Sequence, residues 1–301
     1  MFAGGAGLVG DDGVWVLADT EPSRSLGPAL ALARSVAGPP LHVVVDAGRS
    51  PGAGPDSPAG TLARRAGQFS PAPTVWSVTG RTMVPAEPAP FPTVPPLDPR
   101  VAPFADVLLA AGADPVVEHG RLVGEVLGLE VARVELGDDG PHLAIGVGRF
   151  DREAHAVVSA DLDPTTTLRR VVELVRTHRR PGAEPHPLGR LAAARGLRAR
   201  LVAEPTLVGA DHLVPCPTIA EAPDLRTPWP AAAVGTAADG SPIVVVASVG
   251  IDLDLVPAAA DLRLAVGTDH RLLLALARRD AHPVTLDLAA TLTEPAEVVV
   301  V

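Results

Sequence analysis

The 301-residue sequence contains no lysine, asparagine or tyrosine, a single glutamine (Gln68) and a single cysteine (Cys216). These absences match a GC-rich coding sequence, because Lys, Asn and Tyr use AT-rich codons. Their chemical consequences hold whatever the cause. Without lysine there is no Schiff-base amine, no phosphate-loop lysine, no kinase-type lysine and no Tyr–Lys reductase pair. PLP enzymes, Walker-type NTPases and protein kinases are excluded, so neither PLP nor a P-loop nucleotide is expected. One cysteine forms no intrachain disulfide and no Cys-based zinc knuckle. Cys216 lies in the stiff Val214-Pro215-Cys216-Pro217 segment, away from any helix start that would activate a thiolate, and reads as inert.

Aromatic residues are scarce, at three Trp and five Phe, so Ala, Val and Leu must fill the interior. The first basic residue is Arg24, and no apolar run approaches the roughly 20 residues of a membrane span. A soluble, cytoplasmic protein with no membrane partner is expected. With 47% apolar and 20% charged residues the chain is globular rather than disordered.

Proline marks the organisation. One proline-rich stretch covers 83–103 and a second 203–230, and both read as extended linkers or straps, since proline fixes φ and removes a donor. Three compact blocks remain, 1–82, 104–202 and 231–301. Shifting the sequence by 229 aligns Val14–Arg49 with Ile243–Arg278 without a gap, with nine identities in 36 positions. Each outer block has a glycine turn, an apolar strand, a helix with an early proline, a glycine stop and a second apolar strand. A second helix and a third strand follow in each. Continuous apolar runs alternating with helices predict parallel strands. The expected fold is α/β, with two related Rossmann-like β-α-β-α-β units, N- and C-terminal, flanking an α-β-β-β-α middle block.

In that middle block the turn Gly137-Asp138-Asp139-Gly140 predicts a hairpin. Asp163-Pro164-Thr165 predicts a helix start, with Leu168, Val171, Val172 and Val175 at helical spacing. A last helix is expected over 187–202. In topology alone the α-β-β-β-α order, with Glu118, His119, Glu125, Glu130 and Glu135 on its strands, resembles restriction-endonuclease-like cores. The E-x-K element of such cores is not met, because there is no lysine.

Two familiar spellings fail on context. Gly5-Ala6-Gly7-Leu8-Val9-Gly10 matches G-x-G-x-x-G, but a dinucleotide site needs a strand before it and a helix after it. Gly48-Arg49-Ser50-Pro51-Gly52 matches G-x-S-x-G, yet loop residues follow where the nucleophile elbow requires a helix. Asp19 and Asp46 follow the first two strands, at the edge where open α/β sheets bind ligands, and could share a divalent metal. Turn and helix capping is the competing role for Asp19.

The charge distribution is uneven. The chain carries −10 overall, whereas 165–200 holds nine arginines against Glu173 and Glu184, a net +7, leaving −17 elsewhere. Arg169, Arg170, Arg176, Arg179, Arg180, Arg195 and Arg198 are the candidate polyanion-binding residues, because a guanidinium matches phosphate in geometry and charge. The sequence therefore supports a non-catalytic binding protein whose partner is nucleic-acid backbone or an acidic protein surface. A metal-dependent, nuclease-like hydrolase and a structural or assembly platform are the alternatives. Whether the chain is an enzyme, and its oligomeric state, stay open.

Overall fold

The computed structural model describes residues 4–36, 40–48, 54–149, 151–153 and 163–301. It is a mixed α/β protein whose residues fall into two compact units, Met1–Thr93 with Gly250–Val301, and Val94–Val249. Among the described residues no helix is long and apolar enough to cross a membrane.

In the first unit, β1 (Gly5–Gly10) and β2 (Gly13–Ala18) form an antiparallel hairpin. The G-x-G-x-x-G spelling is thus a strand. The chain continues through α1 (Leu26–Ser35), β3 (Leu41–Asp46), α2 (Pro58–Ala66), β4 (Thr74–Thr79) and β5 (Thr82–Pro85). The sheet order is β1-β2-β3-β4-β5, with β2, β3 and β4 parallel and both edge strands antiparallel. Val14, Val16, Leu41, Val43, Val45 and Val75 are buried on the helix-covered face. Right-handed crossovers that step in one direction put both helices on that face.

In the second unit, α3 (Phe104–Ala111) precedes a meander of β6 (Asp114–Glu118), β7 (Arg121–Val126), β8 (Leu129–Gly137) and β9 (Gly140–Ile145). Strands β6 and β7 are divided at His119-Gly120. That pair and Leu127-Gly128 each have two positive φ values, 48° then 76°, as a two-residue hairpin turn requires. The middle block therefore has four strands where three were expected. Next come α4 (Pro164–Arg179), a single turn α5 (Pro187–Arg190) and α6 (Ala193–Ala203). The helix expected over 187–202 is broken at Leu191, which is extended, and Ala192, which has φ 44°.

Residues 203–230 are not all linker. Within them β10 (Ala210–Cys216) pairs antiparallel with β11 (Ala231–Ala237), which pairs with β12 (Pro242–Ser248). Pro215 is tolerated because β10 is an edge strand.

The C-terminal residues return to the first unit as α7 (Leu255–Val266), β13 (Arg271–Leu276), α8 (Pro283–Ala290) and β14 (Glu297–Val300). The strands β13 and β14 are parallel. Helices α1, α2, α7 and α8 pack together in the core of this unit. At Gly27 a Cβ would stand 1.8 Å from Leu253 O, so α1 approaches the start of α7 as closely as only glycine allows. The ends of α2 and α8 exchange backbone hydrogen bonds, Ser70 N to Thr291 O and Thr293 N to Gln68 O, around a Phe69–Leu292 bridge.

A buried ionic network joins these helices. Arg64 Nε and Nη2 donate to the two oxygens of Asp261 at 2.7 and 3.0 Å. Arg65 donates to Asp261 at 3.1 Å and to Asp254 at 2.8 Å. Arg64 also reaches the Ala89 carbonyl at 2.6 Å and stacks over the Phe91 ring. Burial pushes the Asp254 carboxyl up to about 6, against the pull of Arg65.

The folded protein therefore holds the Asp254 proton to higher pH than the unfolded chain does. The associated stability is fully present below about pH 4 and is lost as pH rises through 6, on the order of 3 kcal/mol in all. Urea unfolding between pH 4 and 7 should show that decline, and Asp254→Asn should flatten it. An unchanged slope in the variant would remove Asp254 as its source.

Candidate functional site

Helix α4 forms as its sequence dictates. Asp163 caps it, accepting from Thr166 N at 2.9 Å, and Leu168, Val171, Val172 and Val175 are buried beneath it. The arginines of 165–200 then separate into two groups. Arg169, Arg170, Arg180, Arg190 and Arg200 are exposed and make no hydrogen-bonded ion pair among the described residues. Arg169 and Arg180 share a helical stripe with exposed Arg176 and Glu173.

The second group is engaged internally. Arg176 donates to Gly112 O at 2.8 Å. Arg179 donates to the carbonyls of Leu127, Leu188 and Leu191 and so ties the β7–β8 turn to the broken helix. Burial lowers the Arg179 pKa. Arg198 is buried, 2% exposed, and it bridges Glu118 at 2.5 Å and Glu125 at 2.7 Å. Arg195 stands 3.5 Å from Glu125 and 3.8 Å from Glu118. Arg195 and Arg198 therefore face two carboxylates inside the unit rather than lying on an outer basic surface. The sequence contained the cue: Glu118 and Glu125 sit on strands, where an acid turned inward needs a cation.

This cluster borders a cleft of about 1190 Å³ within the second unit, lined among others by Glu118, Glu130, Arg133, Arg152, Arg195 and Arg198. Glu130 accepts from Arg133 at 2.7 Å and from Arg152 at 3.0 Å, so two guanidiniums share one carboxylate. Arg152 is lowered by burial first, with Arg133 contributing. Arg198 Nε is buried without a hydrogen-bond partner among the described residues. Burial raises the Glu125 pKa, opposed by Arg198 and Arg195. No family model, curated protein or solved structure matches this chain.

Cys216 also lines the cleft, and burial pushes its thiol up to about 11, with Glu118 adding to the shift. It stays protonated at neutral pH. Burial is the chief cause of a lowered His119 pKa. Glu135 is exposed, 3.9 Å from His142.

Asp19 is exposed just after β2, and Asp46 ends β3 with Oδ1 accepting from Gly48 N at 2.9 Å. Among the described residues no three His, Cys, Asp or Glu side chains come together as a metal-binding group. Of the Gly48-Arg49-Ser50-Pro51-Gly52 motif only Gly48 lies within the described residues, and Gly38 and Arg49 of the aligned segments fall outside them.

Proposed function

We propose that the second unit is a non-catalytic binding module whose exposed arginines hold a polyanion, with nucleic-acid backbone the favoured class. One observation carries this reading. Among the described residues, five arginines of the +7 segment stay exposed and outside hydrogen-bonded ion pairs, in a chain of net −10 whose remaining residues sum to −17. Aromatic residues are too few for base stacking, so binding would follow phosphate rather than sequence.

The test is fluorescence anisotropy with short duplex DNA, single-stranded DNA and RNA at 50 and 200 mM salt. Five phosphate contacts predict a loss of roughly 500-fold across that range, and two predict only about 12-fold. Changing Arg169, Arg170 and Arg180 together to Ala should therefore weaken binding and flatten its salt dependence. No binding at low salt sinks the nucleic-acid reading and turns the same face toward an acidic protein.

The cleft favours a second reading, a polar small molecule. Arg198 Nε is a buried donor without an acceptor among the described residues, and Arg133 and Arg152 both donate to the one Glu130 carboxylate. A ligand presenting an acceptor there would complete both sets. The metal-dependent hydrolase remains the alternative for Asp19 and Asp46.

The scaffold reading is duplication. The order β2-α1-β3-α2-β4 recurs as β12-α7-β13-α8-β14. The reciprocal hydrogen bonds at Ser70 and Thr293 join equivalent positions, and α1 packs on α8 as α2 packs on α7. Such reciprocity is what a twofold relation between two copies of one Rossmann-like unit produces.

A further inference from the structure

Among the described residues, the β1–β5 sheet has α1 and α2 on one face and no helix of the first unit on the other. Leu32 of α1 stands against Gly7, whose register partner is Val16, and this fixes the α1 side. On the opposite side, strand register lines up Leu8, Trp15 and His42, and beside them Leu17, Val44 and Trp76. Leu8 is 66% and Leu17 42% exposed, while the other four are half-buried. Trp15 stacks on His42 at 4.1 Å between ring centroids, and Trp76 Nε1 donates to His42 Nδ1 at 3.3 Å. The chain has only three tryptophans, and two of them lie on this open face. A contiguous apolar patch anchored by aromatic rings is the composition of an interface core.

The ends of the strands that carry the patch are acidic. Among the described residues, Asp11 and Asp12 occupy the β1–β2 turn and Glu21 follows β2, all exposed, against one exposed arginine, Arg81, beside β5. Two such faces brought together would set like charges against each other, which disfavours a second copy of this chain. The occupant should carry an apolar stripe flanked by cations. Its form follows from β12, the counterpart of β2, in which Val244 and Val246 take the places of Trp15 and Leu17. That strand is buried on both faces, and α6, an Ala/Leu helix bearing Arg195, Arg198 and Arg200, packs across β10, β11 and β12.

We propose that the open Trp15–Trp76 face docks an amphipathic helix of a partner protein, with an Ala/Leu stripe toward the sheet and arginines toward the acidic strand ends. The helical form rests on the duplication reading; the open face and its charge do not.

The probe is an 18-residue amphipathic peptide of Ala, Leu and Arg, titrated into the Trp229→Phe protein, whose emission comes from Trp15 and Trp76 alone. A saturable blue shift is expected, weakened at least tenfold by Leu17→Asp and reduced by salt, with no response to a peptide carrying Glu for Arg. Leu17 is exposed, so the variant should fold, and circular dichroism with a Leu17→Ser control verifies this. Equal response to the Glu peptide, no effect of Leu17→Asp, or no binding at all would overturn the proposal. So would a concentration-dependent dimer, seen by sedimentation and abolished by Leu17→Asp, which assigns the face to a second copy. Equal binding by a proline-substituted, extended peptide would overturn the helical form, and with it the use made of the duplication. The nucleic-acid reading is untouched by all of these outcomes, because its test uses other residues in the other unit.

Discussion

Replacing Arg198 with Ala should destabilise the second unit by about 3–5 kcal/mol, because it leaves Glu118 and Glu125 buried and facing each other without their main cation. Arg195 stands farther from both carboxylates and compensates only in part. The direction of the effect depends on what is removed. A triple variant, Arg198→Met with Glu118→Leu and Glu125→Leu, replaces the charges with apolar groups of similar bulk and should recover most of the loss. Urea unfolding followed by Trp229, with Trp15 and Trp76 changed to Phe, measures both variants in this unit. A single-variant loss below about 1 kcal/mol would mean that water reaches the two glutamates.

The second large effect belongs to Asp261, which is fully buried and accepts three hydrogen bonds from Arg64 and Arg65. Among the described residues, Asp261→Ala removes the only carboxylate that Arg64 meets and one of two that Arg65 meets. A loss of about 3–5 kcal/mol is expected, read from Trp15 and Trp76 in the Trp229→Phe background. Asp261→Asn keeps two acceptor lone pairs but no charge, and should fall between wild type and Asp261→Ala. If Asp261→Asn were as stable as wild type, the network would be held by hydrogen bonding rather than by charge.

Much of this architecture could be read from the chain. The apolar runs Val14–Ala18 and Leu41–Val45 are strands because every second residue meets a helix and strong β-formers fill the remaining positions. Helix α4 is where Asp163, Pro164 and the Leu168–Val175 spacing put it. What periodicity did not reveal was punctuation set by tertiary contact. Gly128 makes a turn at a place where a Cβ would stand 2.1 Å from Arg195 O, an approach that no local pattern announces. Ala192 breaks a helical pattern because Arg179 collects the carbonyls of Leu188 and Leu191 from another helix. Pro215 argued against a strand, and only its place at a sheet edge permits one.

The site was legible by composition and illegible by direction. Nine arginines in 36 residues announce a basic segment, but helical phase alone does not say that Arg198 turns inward to two glutamates more than 70 positions earlier. Arg64 and Arg65 look like ordinary surface residues of a short helix. Their partners lie about 190 residues away, beyond the reach of any local pattern.

That separation has a consequence for the order in which the protein is made. At about 5–20 residues per second, Arg64 and Arg65 wait roughly 10–40 s on the ribosome before Asp254 and Asp261 are synthesised. The second unit, continuous from Val94 to Val249, is available in full before the first has received its last two helices. Synthesis thus supplies every residue of the second unit before the helix that completes the buried network of the first.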